Sequence, residues 1–309
     1  MSTTTSTEPT THQDRRTGSP ILAGVDGSND GLQAVGYATA VASRRNVDLC
    51  VVHVAPQNGS LGIPLPPVVT ETLLGVGNKL AEAARDYAVS RGFPSDRLTC
   101  RVCLGHPSRI FKELSAGASA IVLGRRNLSR LERVFTGSTS QAVGAVAHCP
   151  VYVVPSGWQP RTASRSVTVG IDASDAAQPV LEAAFTEAVS RDLDLRVVYA
   201  WAPPMYSYAG RADYQDALDH WTEVAEQRIT TSVTSYAAKH PGVTVTQHFL
   251  RQEPIAALLA LSTQAELLVL GRSDGGELAG GVDGLGSVSR ALVSGAECPV
   301  MVVPNAGDQ

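Results

Sequence analysis

Short apolar runs alternate with longer stretches of helical spacing along most of this chain. Ile21 to Val25, Val47 to Ala55, Ala120 to Leu123 and Val151 to Val154 are dominated by Val, Ile, Leu and Ala, and the more mixed Arg97 to Leu104 reads as a further strand. Runs this short and this continuously apolar predict strands buried on both faces, as in a parallel sheet covered by helices. Between them, Gly31 to Ser43 places Leu32, Val35, Ala38, Val41 and Ala42 on one helical face. Further helices are expected from about Glu71 to Ser90, from Pro107 to near Gly117, and from Ser138 onward, with Gly75 and Gly77 weakening the start of the first of these. Five strands alternating with four helices predict an α/β unit with right-handed crossovers and helices on both faces. Ligands of such sheets bind beyond the carboxyl ends of the strands, where the strand order reverses.

The pattern then occurs a second time. GVDGS at Gly24 returns as GIDAS at Gly170, VVHVAP at Val51 as VVYAWAP at Val197, and HCPVYVVP at His148 as ECPVMVVP at Glu297. The offset is 146 residues at Asp26 and Asp172 and 149 at Pro150 and Pro299. The 309 residues therefore read as two copies of one domain. The expected boundaries are a disordered tail over 1–19, a first domain over 20–156, a polar linker over 157–166 and a second domain over 167–305. Copy two is expected to run through strand Val167 to Ile171, helix Ala176 to Ser190, strand Leu195 to Ala200, helix Tyr214 to Lys239, strand Val243 to Leu250 and helix Pro254 to Thr263.

Composition narrows the class. With 43% apolar and 17% charged residues the chain has material for two cores, and a net charge of −4 gives no electrostatic case for nucleic acid or an anionic membrane. The Thr- and Ser-rich opening has no apolar segment of a secretory signal, and no run reaches the length of a membrane span, so a cytoplasmic location is expected. Five dispersed cysteines are not a disulfide scaffold. Cys100 and Cys103 form a C-x-x-C inside an expected strand, where residues three apart face opposite sides, so they read as structural thiols.

The stretch with most chemistry runs from Ala120 to Pro155. Its strand is followed by Gly124, then by a loop carrying Arg125, Arg126, Arg130 and Arg133, then by Gly137 and a helix opening on Ser138, Thr139 and Ser140. The first N–H groups of a helix lack internal partners, and hydroxyls and guanidiniums beside them favour a phosphate. From Leu123 to Ser140 the chain thus reads as a phosphate cradle, with Arg125 and Arg126 the better phosphate candidates. The bland readings stand beside this one: Ser138 as an N-cap, Asp26 and Asp172 as turn residues, His53 and His106 as structural histidines, and the arginines as a solvated face. The sequence offers no catalytic constellation, no metal-ligand cluster and no G-x4-G-K-[ST] loop, so binding without catalysis, or at most slow ATP hydrolysis, is expected.

With these motifs assembled, the chain resembles a tandem member of the universal stress protein family, over roughly Ile21 to Pro155 and Val167 to Pro304. The resemblance implies two doubly wound five-stranded parallel sheets of the Rossmann-like, adenine nucleotide alpha hydrolase-like kind, related by a pseudo-twofold axis. It also implies ATP, with magnesium accompanying the nucleotide, as the bound group. The family's loop, G-x2-G-x9-G followed by Ser or Thr, is met by Gly124, Asn127 and Gly137-Ser138, with asparagine at the middle glycine. Asp26 matches the aspartate ending the first strand, Val54 the backbone position that meets adenine, and Gly105 the glycine after the third strand.

In copy two the matching positions are Asp172, Ala200, Gly271, Arg272, Gly286, Ser287, Val288 and Ser289, while Asp274 replaces the middle glycine and Arg251 replaces Gly105. Glu277 and Asp283 add negative charge to this second loop, and like charges ~4 Å apart at an effective dielectric near 20 repel by roughly 4 kcal/mol. Unequal copies are therefore expected, with the nucleotide in the first. The functional expectation is a nucleotide-dependent regulatory module of the stress response, and its alternative a nucleotide-free interaction protein. The resemblance further implies pairing of the two fifth strands within one chain, room for a homodimer, and a protein partner that the sequence does not identify.

Overall fold

Alternation along the strands decides the layers. The computed structural model describes residues 18–58, 63–125, 138–160, 166–174, 177–203, 212–272 and 284–305, with backbone alone for Ser138 and residues 212–214. Its first half runs β1 (Ile21–Val25), α1 (Asn29–Arg45), β2 (Leu49–Ala55), α2 (Pro67–Ser90), a 3-10 turn (Ser95–Arg97), β3 (Leu98–Leu104), α3 (Pro107–Ser115), β4 (Ala120–Arg125), α4 (Ser138–Val146) and β5 (Val151–Pro155). The second half repeats it: β6 (Ser166–Gly170), α5 (Ala177–Arg191), β7 (Asp194–Ala200), α6 (Ala212–Lys239), β8 (Val245–Leu250), α7 (Pro254–Ser262), β9 (Leu267–Gly271), α8 (Ser287–Gly295) and β10 (Val300–Val303).

Ile21, Ala23, Leu49, Val51, Ala120 and Val122 face one core with α1 and α2, and their neighbours Leu22, Cys50, Val52, Ile121 and Leu123 face a second core with α3 and α4. Each core continues through the second half, so one apolar layer on either side of the sheet serves both copies. The two sheets are in fact one, in the order β3-β2-β1-β4-β5-β10-β9-β6-β7-β8. Pairing within each half is parallel, and β5 meets β10 antiparallel. Met301 pairs with Tyr152 there, and the two are counterparts in the repeat, so the pseudo-twofold axis passes between them.

Element ends moved where local chemistry allowed. α2 begins at Pro67, four residues before Glu71, because proline at the first helical position needs no N–H partner. It also runs through both glycines: a Cβ on Gly77 would sit 2.8 Å from His53 Cδ2 and from Val102 Cγ1, so the missing side chain lets the helix lie close on β2 and β3. α1 and α5 end alike, on Asn46 and Asp192 with φ of 52° and 54°. The expected linker is partly built into the fold. Gly157 N donates to Gln33 Oε1, Gln33 Nε2 donates to Trp158 O, and the Trp158 ring meets Tyr37 edge-on. Most of the expected N-terminal tail, residues 1–17, lies outside the described residues.

Candidate functional site

The strand order reverses between β1 and β4 in the first half, and between β6 and β9 in the second. β1 stops at Val25, opposite His53, whereas β2 and β3 continue to Ala55 and Leu104. Val54 therefore lies one residue past the last partner that β1 offers, at the lip of a crevice. Asp26 follows β1 directly, and its Oδ1 accepts from Ser28 N at 3.0 Å and Ser28 Oγ at 2.5 Å. Ser28 in turn caps α1 by accepting from Gly31 N. Asp172 and Ser174 reproduce this turn at 3.0 and 2.5 Å. The turn reading of both aspartates is thus realised, with their carboxylates held at the mouth of each crevice.

Gly105 closes the lip on the β3 side with φ of 146°, a conformation that side chains disfavour, and its N–H donates to Ala55 O. Its counterpart Arg251 reaches Asp219 at 3.0 Å and stacks over Trp201, which meets Trp221 edge-on. An arginine packed on two indole rings therefore stands after β8 where the first half has a glycine after β3. Gly124 is demanded by packing as well: a Cβ there would fall 2.4 Å from Asp30 O, in the first turn of α1.

In the second half this crevice encloses a cavity of about 410 Å³. Asp172, Ala200, Gly271, Arg272, Val288 and Ser289 line it, as the repeat implied. Pro254, Leu258 and Leu270 add an apolar floor that the sequence reading did not single out, although Leu258 is the counterpart of buried Phe111. α8 starts on Gly286 with no side-chain cap, so the helix opens bare backbone N–H groups toward this end of the sheet.

Four expected phosphate ligands have other partners. Arg125 donates to Val293 O at 3.1 Å and Ala296 O at 2.8 Å, at the C-terminal end of α8 in the opposite half. Arg272 returns the contact, donating to Ala147 O at 2.9 Å just past α4. Orphan carbonyls and the negative helix end draw each guanidinium across the axis. Burial pushes the pKa of Arg125 below the ordinary arginine value. Ser140 Oγ donates to Gly124 O at 3.1 Å and Ser289 Oγ to Gly271 O at 2.8 Å, so both hydroxyls clamp the cradle helix to its own strand. Thr139 and Ser287 remain exposed at their helix starts. Arg126, Asn127, Gly137 and the acidic residues of the second loop lie outside the described residues. His53 Nδ1 lies 2.9 Å from Val25 O across the β1–β2 pair, and His106 Nδ1 lies 2.9 Å from Ser108 Oγ within its own turn. None of the five cysteines is in a disulfide, and Cys100 Sγ donates to Ala81 O on α2. Among the described residues no group of three His, Cys, Asp or Glu side chains is placed to hold a metal, and no helix is long and apolar enough to cross a membrane.

Fold and crevice define a tandem doubly wound α/β protein with one candidate site per repeat at the carboxyl edge of a shared sheet. The chain belongs to the universal stress protein family: the model of that family matches residues 19–155 and again 164–304. A universal stress protein of Mycobacterium tuberculosis is 28% identical over 290 residues, covering 91% of this chain and 95% of the relative. A second one from the same organism is 29% identical over 314 residues, covering 91% and 94%. The crystal structure of a universal stress protein from Archaeoglobus fulgidus shares the fold with a TM-score of 0.68 at 20% identity, over 94% of this chain and 98% of that one.

Proposed function

We propose that the protein is an adenine-nucleotide-binding regulatory module, with ATP held in the crevice at the switch point of each repeat and more tightly in the first. The observation that carries this reading is convergence at one sheet edge. Asp26, the Val54 backbone, Gly105, Gly124 and the start of α4 come from five separate elements to the same lip. In the second repeat the counterparts of four of these, Asp172, Ala200, Gly271 and the first turn of α8 at Val288 and Ser289, line a cavity whose volume suits a small ligand. The residues fit the group: an apolar floor for a base, strand-end backbone for its edge, and uncapped helix N–H groups for phosphate. Asp26 or Asp172, Gly124 or Gly271, and the first turn of α4 or α8 would hold it. The nucleotide would supply negative charge at the helix start, and its magnesium would come bound to the phosphates.

We read the protein as a binder and switch, with ATP turnover slow or absent. A second reading, a nucleotide-free interaction protein, draws on the four side chains whose hydrogen bonds go to the scaffold. One experiment separates the two. Purified protein is heat-denatured and its released nucleotide identified, and Mg-ATP is titrated into wild type, Asp26→Ala and Asp172→Ala. ATP in the supernatant, with most of the binding heat lost in Asp26→Ala, is the expected result. An empty supernatant together with no binding heat at millimolar ATP leaves the interaction reading.

A further inference from the structure

The seam between the halves is not symmetric in its chemistry. Arg45 at the end of α1 and Arg191 at the end of α5 are counterparts in the repeat, and both turn toward one carboxylate. Glu187, 1% exposed, accepts at Oε1 from Arg45 Nη2 at 2.6 Å and Tyr152 OH at 2.8 Å, and at Oε2 from Arg191 Nε at 2.9 Å. Arg191 Nη2 also donates to Tyr37 OH at 2.8 Å. The Tyr37 and Tyr152 rings lie 5.8 Å apart, with the Arg191 guanidinium over the first and that of Arg45 over the second. The repeat counterpart of Glu187 is Val41, that of Tyr37 is Ala183, and that of Tyr152 is Met301. A single acid thus serves two symmetry-related arginines beside a pseudo-twofold axis, and the aromatic rings come from one half only.

We infer that Glu187 keys this seam so that the first half pairs with the second half and not with the first half of another copy. Two first halves brought together would leave each Arg45 with the Tyr152 hydroxyl but no carboxylate and place four tyrosines where the native seam holds two, which combines uncompensated charge with overpacking. Two second halves would match acid to base but face alanine and methionine across the space the rings fill. Like-with-like pairing would also tie chain to chain through both ends, and where two chains did not close on each other it would run on as a filament. The native pairing closes within one chain. A buried ion pair is a weak source of stability compared with apolar packing, but a wrong partner that leaves its charges unmatched is penalised heavily, so its value here is selection. The β5 and β10 edges are then covered, and any association between chains has to use another surface. The inference rests on the packing of the halves and not on the nucleotide reading.

The test moves the key. In the full chain, Glu187→Val gives the second half the residue of the first, and Val41→Glu combined with Glu187→Val places the acid four residues before Arg45, as Glu187 stands before Arg191. Native mass spectrometry and light scattering at several concentrations read the oligomers, and thermal unfolding reads the fold. Glu187→Val is expected to populate species beyond the wild-type distribution and to unfold roughly 6 °C or more lower. The relocated pair should return toward wild type in both. Should Glu187→Val fail to fold, the near-isosteric Glu187→Gln replaces it, with new oligomers expected in its place. Oligomers unchanged from wild type in the folded single variant overturn the inference. So does a relocated pair as associated as the single variant, because a merely structural acid would not be rescued from the other half.

Discussion

Two glycines in α2, two residues apart, have opposite surroundings. Nothing lies within 4 Å of a Cβ built on Gly75, while one on Gly77 meets His53 and Val102 at 2.8 Å. Gly75→Ala should therefore stabilise the protein by about 0.5–1 kcal/mol through helix propensity and a smaller unfolded ensemble. Gly77→Ala should destabilise it by about 1–3 kcal/mol as the helix is pushed off the sheet. Paired urea melts check the sign of each, and two shifts of the same sign would contradict the packing argument. Both residues read alike in the sequence, as helix weakeners, because spacing along one helix carries nothing about the strand underneath. Thiols divide in a similar way. Cys50, Cys149 and Cys298 are buried and burial pushes Cys149 up to about 12, whereas Cys100 is exposed and Cys103 partly so. A colorimetric thiol titration should count two cysteines in the native protein and five after denaturation.

At the scale of elements, strand existence and type were legible because the central runs are short, apolar and bounded by turn residues, while the edge strands β3 and β8 are more mixed. Helix ends were read less well, since caps and proline starts act over one or two positions. The candidate site was legible in outline: Asp26, Val54, Gly105 and Gly124 all lie at the carboxyl edge. Its arginines were assigned to phosphate because they follow the glycine of a loop. In the folded chain the loop end of β4 lies beside the far end of α8, whose carbonyls are nearer acceptors for Arg125. Arg125→Met keeps the bulk but leaves Val293 O and Ala296 O without this donor, and should cost about 1–3 kcal/mol in a chemical melt. Mg-ATP affinity at the first site should stay within a fewfold of wild type. A collapse of that affinity would return the arginines to the phosphate.

For the whole molecule, the seam links folding to pH. Burial alone would raise the pKa of Glu187, but Arg191 and then Arg45 outweigh it and hold the carboxyl below its ordinary 4.5. Its contribution is fully present above that value and drains away as pH falls through the lowered one. The wild-type melting temperature should fall more steeply than that of Glu187→Gln, which lacks the titrating group, as pH drops below 4.5. The repeats should also differ in titration. A single strong Mg-ATP site per chain, weakened by Asp26→Ala and indifferent to Asp172→Ala, is expected, and two equal sites would overturn the unequal-copy reading.

By itself the sequence determined that there are two repeats, that each alternates strand and helix, and that the chemistry gathers at strand ends and at a helix start. Periodicity and spacing are local properties, and each residue carries them whatever lies opposite. Which side chains face one another across the axis was decided only by the tertiary structure. Arg45, Glu187 and Tyr152 are separated along the chain by more than a hundred residues from at least one partner. Arg125 and Arg272 exchanged an expected anion for a helix end in the opposite repeat. A charged side chain goes to the nearest orphan partner in space, and no pattern along one strand records where that partner will be.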